Sequence, residues 1–281
     1  VSGLEVKKLV ASPLYRRFAN LRPAALDEIK NRTGLDPEKD IDRVVIANTA
    51  DKPDSGVMFV FGNFSLAGIT QKIEAPGHKG VTEKKIGGET LFSYEDQKGV
   101  SVMVVVVNEH ALLLGTGPAV QVVAANLQAG TTPLRTNKGL VALLGTLPPG
   151  VTFWMAGDAA LLSQLPKSLP GSQNGNVPAM NIPNLSGVAA SGDLDPDVKV
   201  NVQADALDAP SAKNLADVIR GLLALAVMQA GQKPALQGLA TAVNVTSDQN
   251  KVVVSARLPY ELLDALVASV PAQKPAAPAA H

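Results

Sequence analysis

The chain has 281 residues, 46% apolar but only 4% aromatic, so a core must be built from Val, Leu, Ile and Ala. Lys and Arg number 25, as do Asp and Glu, and this zero formal charge argues against a nucleic-acid binder, which carries a basic excess. Cysteine is absent, which excludes disulfides, thiolate metal sites and a cysteine nucleophile.

A short strand is predicted through Leu4 and Val6. Ser12-Pro13 then sets an N-cap before a proline at the first helical position, predicting a helix to about Leu21. RPAALDEIKNRTG predicts a second helix, with Leu26 and Ile29 at helical spacing and Gly34 at its end. IDRVVIANTADKPDSGVMFVFGNF reads as a strand, a Lys-Pro-Asp-Ser-Gly turn and a strand. SLAGITQKI is a short helix capped by Ser65. Several strands follow from Val81 to Thr116, with turns at Gly87-Gly88, Gln97–Gly99 and Asn108-Glu109.

Within them, VSVMVVVVNEHALLLGT has six consecutive apolar residues, Val102 to Val107, before Asn108, Glu109 and His110. A spanning helix needs about 20. Branched Val side chains favour strands, and consecutive apolar residues face both sides of a sheet. A buried hairpin covered on both faces is expected, followed by a helix from Pro118 to Leu127 that ends at Gly130.

The second half repeats this order. VTFWMAGD is a strand, AALLSQL begins a helix, and residues 166–184 read as a long Pro/Gly/Asn-rich loop. LSGVAASGDLDPDVKVNVQADA is a hairpin about Asp-Pro-Asp, and a helix runs from Pro210-Ser211 to about Ala230. TAVNVTSDQNKVVVSARLP is another hairpin, and YELLDALVASV is the closing helix. Laying Val57 on Val198 and Pro118 on Pro259 gives one offset of 141 and suggests a duplication. Units at 1–130 and 131–270 are expected, with a Pro/Ala-rich disordered tail at 271–281. The expected fold is α+β: two similar units, each an antiparallel sheet with helices mainly on one face. In the helix after Pro210, every residue from Leu222 to Met228 is apolar, which predicts full burial.

Motifs that could carry chemistry have simpler readings. Gly115-Thr116-Gly117 lies between strand and helix, where phosphates bind, but Val120 stands where a dinucleotide fingerprint needs glycine. Asp193, Asp195 and Asp197 alternate as in a calcium loop, yet Val198 and Ala204 replace its glycine and glutamate. Asp36, Asp40 and Asp42 read as a turn and a solvated strand entry. His78, His110 and His281 form no pair at zinc spacing. Ser-His-Asp triads assemble from distant residues, but no G-x-S-x-G elbow is present. Neither cofactor nor metal is expected. Trp154, the single tryptophan, fits a core position or a partner anchor, and Leu225 and Met228 become partner contacts if their helix end is exposed.

The succession TGLDPEKDIDRVVIA, VFGNF, LLLGTGPAVQ and NKGLVALLGTLPPGVTFWMAGD resembles an uncharacterised family of bacterial exported proteins, a domain of unknown function. The recurring residues are Gly34, Asp36, Pro37, Asp40, Gly62, Gly115 and Trp154, all within residues 1–160. The resemblance implies export to the periplasm or cell envelope. A start at Val1 rather than Met, with no apolar leader, fits a processed N-terminus. The functional expectation is a non-catalytic binding or assembly protein. The alternatives are a carrier of an apolar ligand in a cleft between sheet and helices, and a hydrolase with a dispersed triad. The expected partner is an unidentified protein or apolar ligand, not nucleic acid, with no transmembrane segment in this chain.

Overall fold

The computed structural model describes residues 1–19, 22–23, 26–27, 30, 35–49, 52–73, 79–86, 89–95, 101–162, 168–169, 180–181, 184–230 and 238–269. Runs of Val, Ile and Leu form strands, and twelve of them join one antiparallel sheet. Its members are β1 (Ser2–Glu5), β2 (Ile41–Thr49), β3 (Lys52–Gly62), β4 (Lys79–Ile86), β5 (Glu89–Glu95), β6 (Ser101–Asn108), β7 (Ala111–Thr116), β8 (Phe153–Asp158), β11 (Leu185–Asp193), β12 (Val198–Ala206), β13 (Val243–Asp248) and β14 (Lys251–Leu258). The short β9 (Ser168–Leu169) and β10 (Met180–Asn181) pair separately. Across the sheet the order is β13-β14-β12-β11-β8-β1-β2-β3-β7-β6-β5-β4. The two expected sheets are therefore one, joined where β1 pairs with β8.

The helices are α1 (Val6–Ala11), α2 (Pro13–Arg17), α3 (Leu66–Ile73), α4 (Gly117–Gln128), α5 (Lys138–Gly145), α6 (Ala159–Leu162), α7 (Ala209–Ala230), α8 (Leu239–Ala242) and α9 (Tyr260–Ser269). Their starts follow capping chemistry. Ser12 Oγ accepts from the Tyr15 N–H at 3.2 Å, Ser65 Oγ from Gly68 at 3.2 Å, and Asp208 Oδ1 from Ser211 at 2.7 Å. Gly130 ends α4 at φ +62°, where a side chain is disfavoured.

Further expectations change. Val6, expected in the first strand, begins α1. Lys52 to Gly56 extend β3 rather than form the turn, since Lys52 pairs with Thr49 and Gly56 with Asn48. Helix α5 lies where none was predicted, capped by Asn137 Oδ1 accepting from the Leu140 N–H at 3.0 Å. And helices cover both faces. Side chains of directly paired residues share a face. One unbroken row of pairs is Glu83, Phe92, Val104, Leu114, Met58, Ile46, Ser2, Met155, Ala190, Val202, Val254, Val245, which marks the front. The next row marks the back: Lys84, Leu91, Val105, Leu113, Phe59, Val45, Gly3, Trp154, Ser191, Asn201, Ser255, Asn244.

On the front, α1 and α3 pack on the first half through Val6, Val10 and Ile69, and α7 packs on the second through Ala212, Leu215 and Ala216. On the back, α4 covers Leu91, Val105 and Leu113 through the fully buried Val120, and α5 covers Ala156 and Ala189 through Leu143. The back row turns polar beyond Trp154, so β12, β13 and β14 present Asn201, Asn244 and Ser255 to solvent. As expected, β6 is buried on both faces, at Val104 and Val105.

Full burial of the apolar end of α7 is overturned. Leu222, Leu223, Leu225 and Val227 are half-buried, and Ala224, Ala226 and Met228 are exposed. The reason is length. A helix of 22 residues is about 33 Å long, whereas six-residue β13 beneath it spans about 20 Å. The last turns outrun the sheet. Most of the helix expected over 22–34, the turns at 87–88 and 97–99, most of the 166–184 loop and the 271–281 tail lie outside the described residues.

Candidate functional site

Chain direction alone creates a cleft at the start of the protein. β1 passes straight into α1, which folds back over the front of the sheet, and Ser12 breaks the path so that α2 leaves at an angle. A cavity of about 320 Å³ lies beneath. Its floor is Leu4, Val44, Ile46, Met58 and Val60 of β1, β2 and β3, its roof Val6, Leu9 and Val10 of α1. Tyr15, Leu26, Pro37 and Glu38 close one end. Nearly all of this surface is apolar, and the volume falls at the small end of the range for small-molecule sites, about 300–1,000 Å³. Met58 is 36% exposed and Met155, three strands away on the same row, is 40% exposed, so the floor continues as an open strip with a methionine at each end.

The closed end carries the polar groups. The Tyr15 hydroxyl donates to Glu38 Oε1. Arg22 donates to Glu38 Oε2 from Nε at 3.0 Å and from Nη2 at 2.7 Å, and its Nη1 lies 2.9 Å from Asp27 Oδ2. Arg22 first, then the Tyr15 hydroxyl, hold the Glu38 carboxyl below its usual range. Burial, then Glu38, pushes the Tyr15 phenol up, and the hydrogen bonds Arg22 donates to the Glu38 and Asp27 carboxylates raise Arg22.

The motif residues around this end are architectural. The Asp36 N–H donates to Asp40 Oδ2 at 2.7 Å, and the Asp40 N–H returns to the Asp36 carbonyl at 2.8 Å. The Asp40 carbonyl accepts from Asn63 at 3.0 Å and lies where a Cβ at position 62 would stand, so Gly62 permits the close approach. Pro37 belongs to this turn and touches the cavity. Gly34 lies outside the described residues. Gly115 faces the Gly56 carbonyl and Val120, and Gly117 is buried at the start of α4: a packed corner.

The remaining candidates do not converge. His110 sits at a hairpin tip, its Nδ1 3.1 Å from the Gly62 carbonyl and its Nε2 3.4 Å from Glu109 Oε1. His78 and His281 lie outside the described residues. Asp193 Oδ1 accepts from Thr152 N–H at 3.0 Å and from its hydroxyl at 3.1 Å, Asp197 accepts from Arg257 at 2.7 Å, and Asp195 is exposed. Asp42 pairs with Lys7. Among the described residues no three His, Asp or Glu are placed to hold a metal. Trp154 is half-buried on the back, across Gly3, while Leu225 and Met228 occupy the overhanging end of α7. No described helix is long and apolar enough to cross a membrane.

Sequence reasoning offered a cleft between sheet and helices as an alternative but not its place, because its lining is ordinary strand and helix residues. Tyr15 and Glu38, which meet at its end, lie 23 residues apart. No family model, curated protein or solved structure matches the chain.

Proposed function

We propose that this chain is a non-catalytic binding protein that holds a small apolar ligand between α1 and the front of β1, β2 and β3. One observation carries the reading. A cavity of about 320 Å³ lined mainly by aliphatic side chains remains open beneath α1, beside the packed core on the same face of the sheet. Native mass spectrometry of protein purified from its own host tests it. Retained small-molecule mass, released by denaturation, is the expected result, and bare protein after mild isolation argues against the reading. The resemblance to exported proteins supports a place for such a carrier in the cell envelope.

A second reading is favoured by the overhang of α7. Met228 is 72% exposed among Leu222, Leu223, Leu225 and Val227, a helix end with no polar face to offer water. In this reading a protein partner covers it. Loss of a co-purifying protein on Met228→Asp, with stability unchanged, is the expected result, and unchanged recovery speaks against it.

We further infer that the halves arose by duplication. The support is strand order. Outward from the β1–β8 pair, one side runs β2, β3, β7, β6 and the other β11, β12, β14, β13. The sequence offset of 141 is one residue off, since Val57 faces the back and Val198 the front. Equivalent back-row positions are Phe59 with Asn201 and Leu113 with Ser255 (201 − 59 = 142, 255 − 113 = 142). Alignments of relatives of each half should converge on 142 for these strands. Convergence on another register counts against the inference.

A further inference from the structure

We infer that the cavity selects an uncharged ligand whose apolar body ends in a hydroxyl at the Tyr15–Glu38 wall. This rests on the reading of the cavity as a ligand site and adds the chemical class of the ligand. Among the described residues that line the cavity, Glu38 alone is ionised near neutral pH. Its carboxylate offers about four acceptor positions. Tyr15 takes one on Oε1, and Arg22 takes two on Oε2. Among the described residues, one position on Oε1 is left for a donor.

The same geometry disfavours either charge. A ligand carboxylate would lie beside Glu38 in apolar surroundings, where like charges repel strongly and unpaired charge is costly to desolvate. Arg22 cannot serve it, because that guanidinium already pairs with Glu38 and Asp27 and does not line the cavity. A ligand ammonium carries three donors, and with one open position on Oε1 two of them stay unpaired among aliphatic side chains. A hydroxyl needs one acceptor and brings no charge.

The test uses the full chain and matched probes. N-phenyl-1-naphthylamine, a neutral fluorophore, is bound and then displaced by dodecan-1-ol, dodecanoate or dodecylamine, each below its micellar concentration, at about pH 8, where a free carboxylic acid is ionised. Dodecan-1-ol should displace the fluorophore at concentrations about tenfold lower than either charged analogue. In Glu38→Gln the penalty on dodecanoate should shrink. Dodecanoate or dodecylamine matching the alcohol on the unaltered protein overturns the class assignment, as does a bound fluorophore that none of the three displaces. If the fluorophore itself does not bind, the apolar-ligand reading fails instead. The comparison on the unaltered protein decides the matter even where Glu38→Gln does not fold.

Discussion

The indole of Trp154 lies in the space where any other residue at position 3 would put its side chain. A Cβ built on Gly3 would stand 2.6 Å from Trp154 Cζ2, and the two residues are paired across β1 and β8, the seam that joins the halves of the sheet. Gly3→Ala should therefore push the indole away and cost about 1–3 kcal/mol, the usual penalty of overpacking. Trp154 is the single tryptophan, so its emission reports the displacement directly. Unchanged emission and an unchanged denaturation midpoint would show that the indole has room to move.

Leu113 and Leu225 separate the core from the overhang. Leu113 is fully buried between β6, β3 and α4, and Leu113→Ala should cost about 2–5 kcal/mol. Leu225 is half-buried on the last turns of α7, and Leu225→Ala should cost about 1 kcal/mol or less. Equal losses in urea unfolding would mean that the end of α7 is covered in solution.

What the sequence made legible was local. Ser12 and Ser65 as caps, Pro118 at a helix start, Gly130 past its end and the hairpins at 101–116 and 243–258 depend on neighbours within a few residues, and they form as expected. The β1–β8 seam depends on Gly3 meeting Trp154, 151 positions away, and four-residue β1 has too short a pattern to announce a central strand. Helix α5 was hidden in KGLVALLG, an apolar run too short for its period to be read, although Asn137 stood ready as its cap. The two-faced cover was half visible: consecutive valines in β6 demanded it, while the polar turn of the back row at Ser191, Asn201 and Ser255 emerges only from the register. The place of the cleft was illegible because aliphatic residues that line a space and those that fill one are chemically the same.

The β13 edge offers a prediction about association. Arg220 of α7 donates from Nη2 to the Val245 carbonyl at 3.0 Å, occupying a backbone acceptor on the outermost strand. Exposed edge acceptors template pairing with another chain, and positive side chains block it. Arg220→Ala should raise concentration-dependent self-association in sedimentation velocity. A variant that sediments as the unaltered protein does would show that the edge is protected by other means.

Acid should loosen the closed end of the cleft. Glu38 has a lowered pKa in the folded protein, so it contributes stability above its unfolded value of 4.5, and that contribution is lost as pH falls through the lowered folded value. Glu38→Gln should thus flatten the fall of the melting midpoint on acidification below about pH 5. An identical pH profile in the variant would remove Glu38 from the account.

Methyl NMR with labelled methionines tests the apolar-ligand site most directly, because three of the five methionines sit on distinct surfaces. Met58 lies on the cavity floor, Met103 on the back beneath α4, and Met228 on the α7 overhang. On titration with N-phenyl-1-naphthylamine the Met58 methyl should shift and saturate, while Met103 and Met228 stay in place. A silent Met58 with a saturating shift at Met228 would contradict the claim and move the binding site to the exposed helix end.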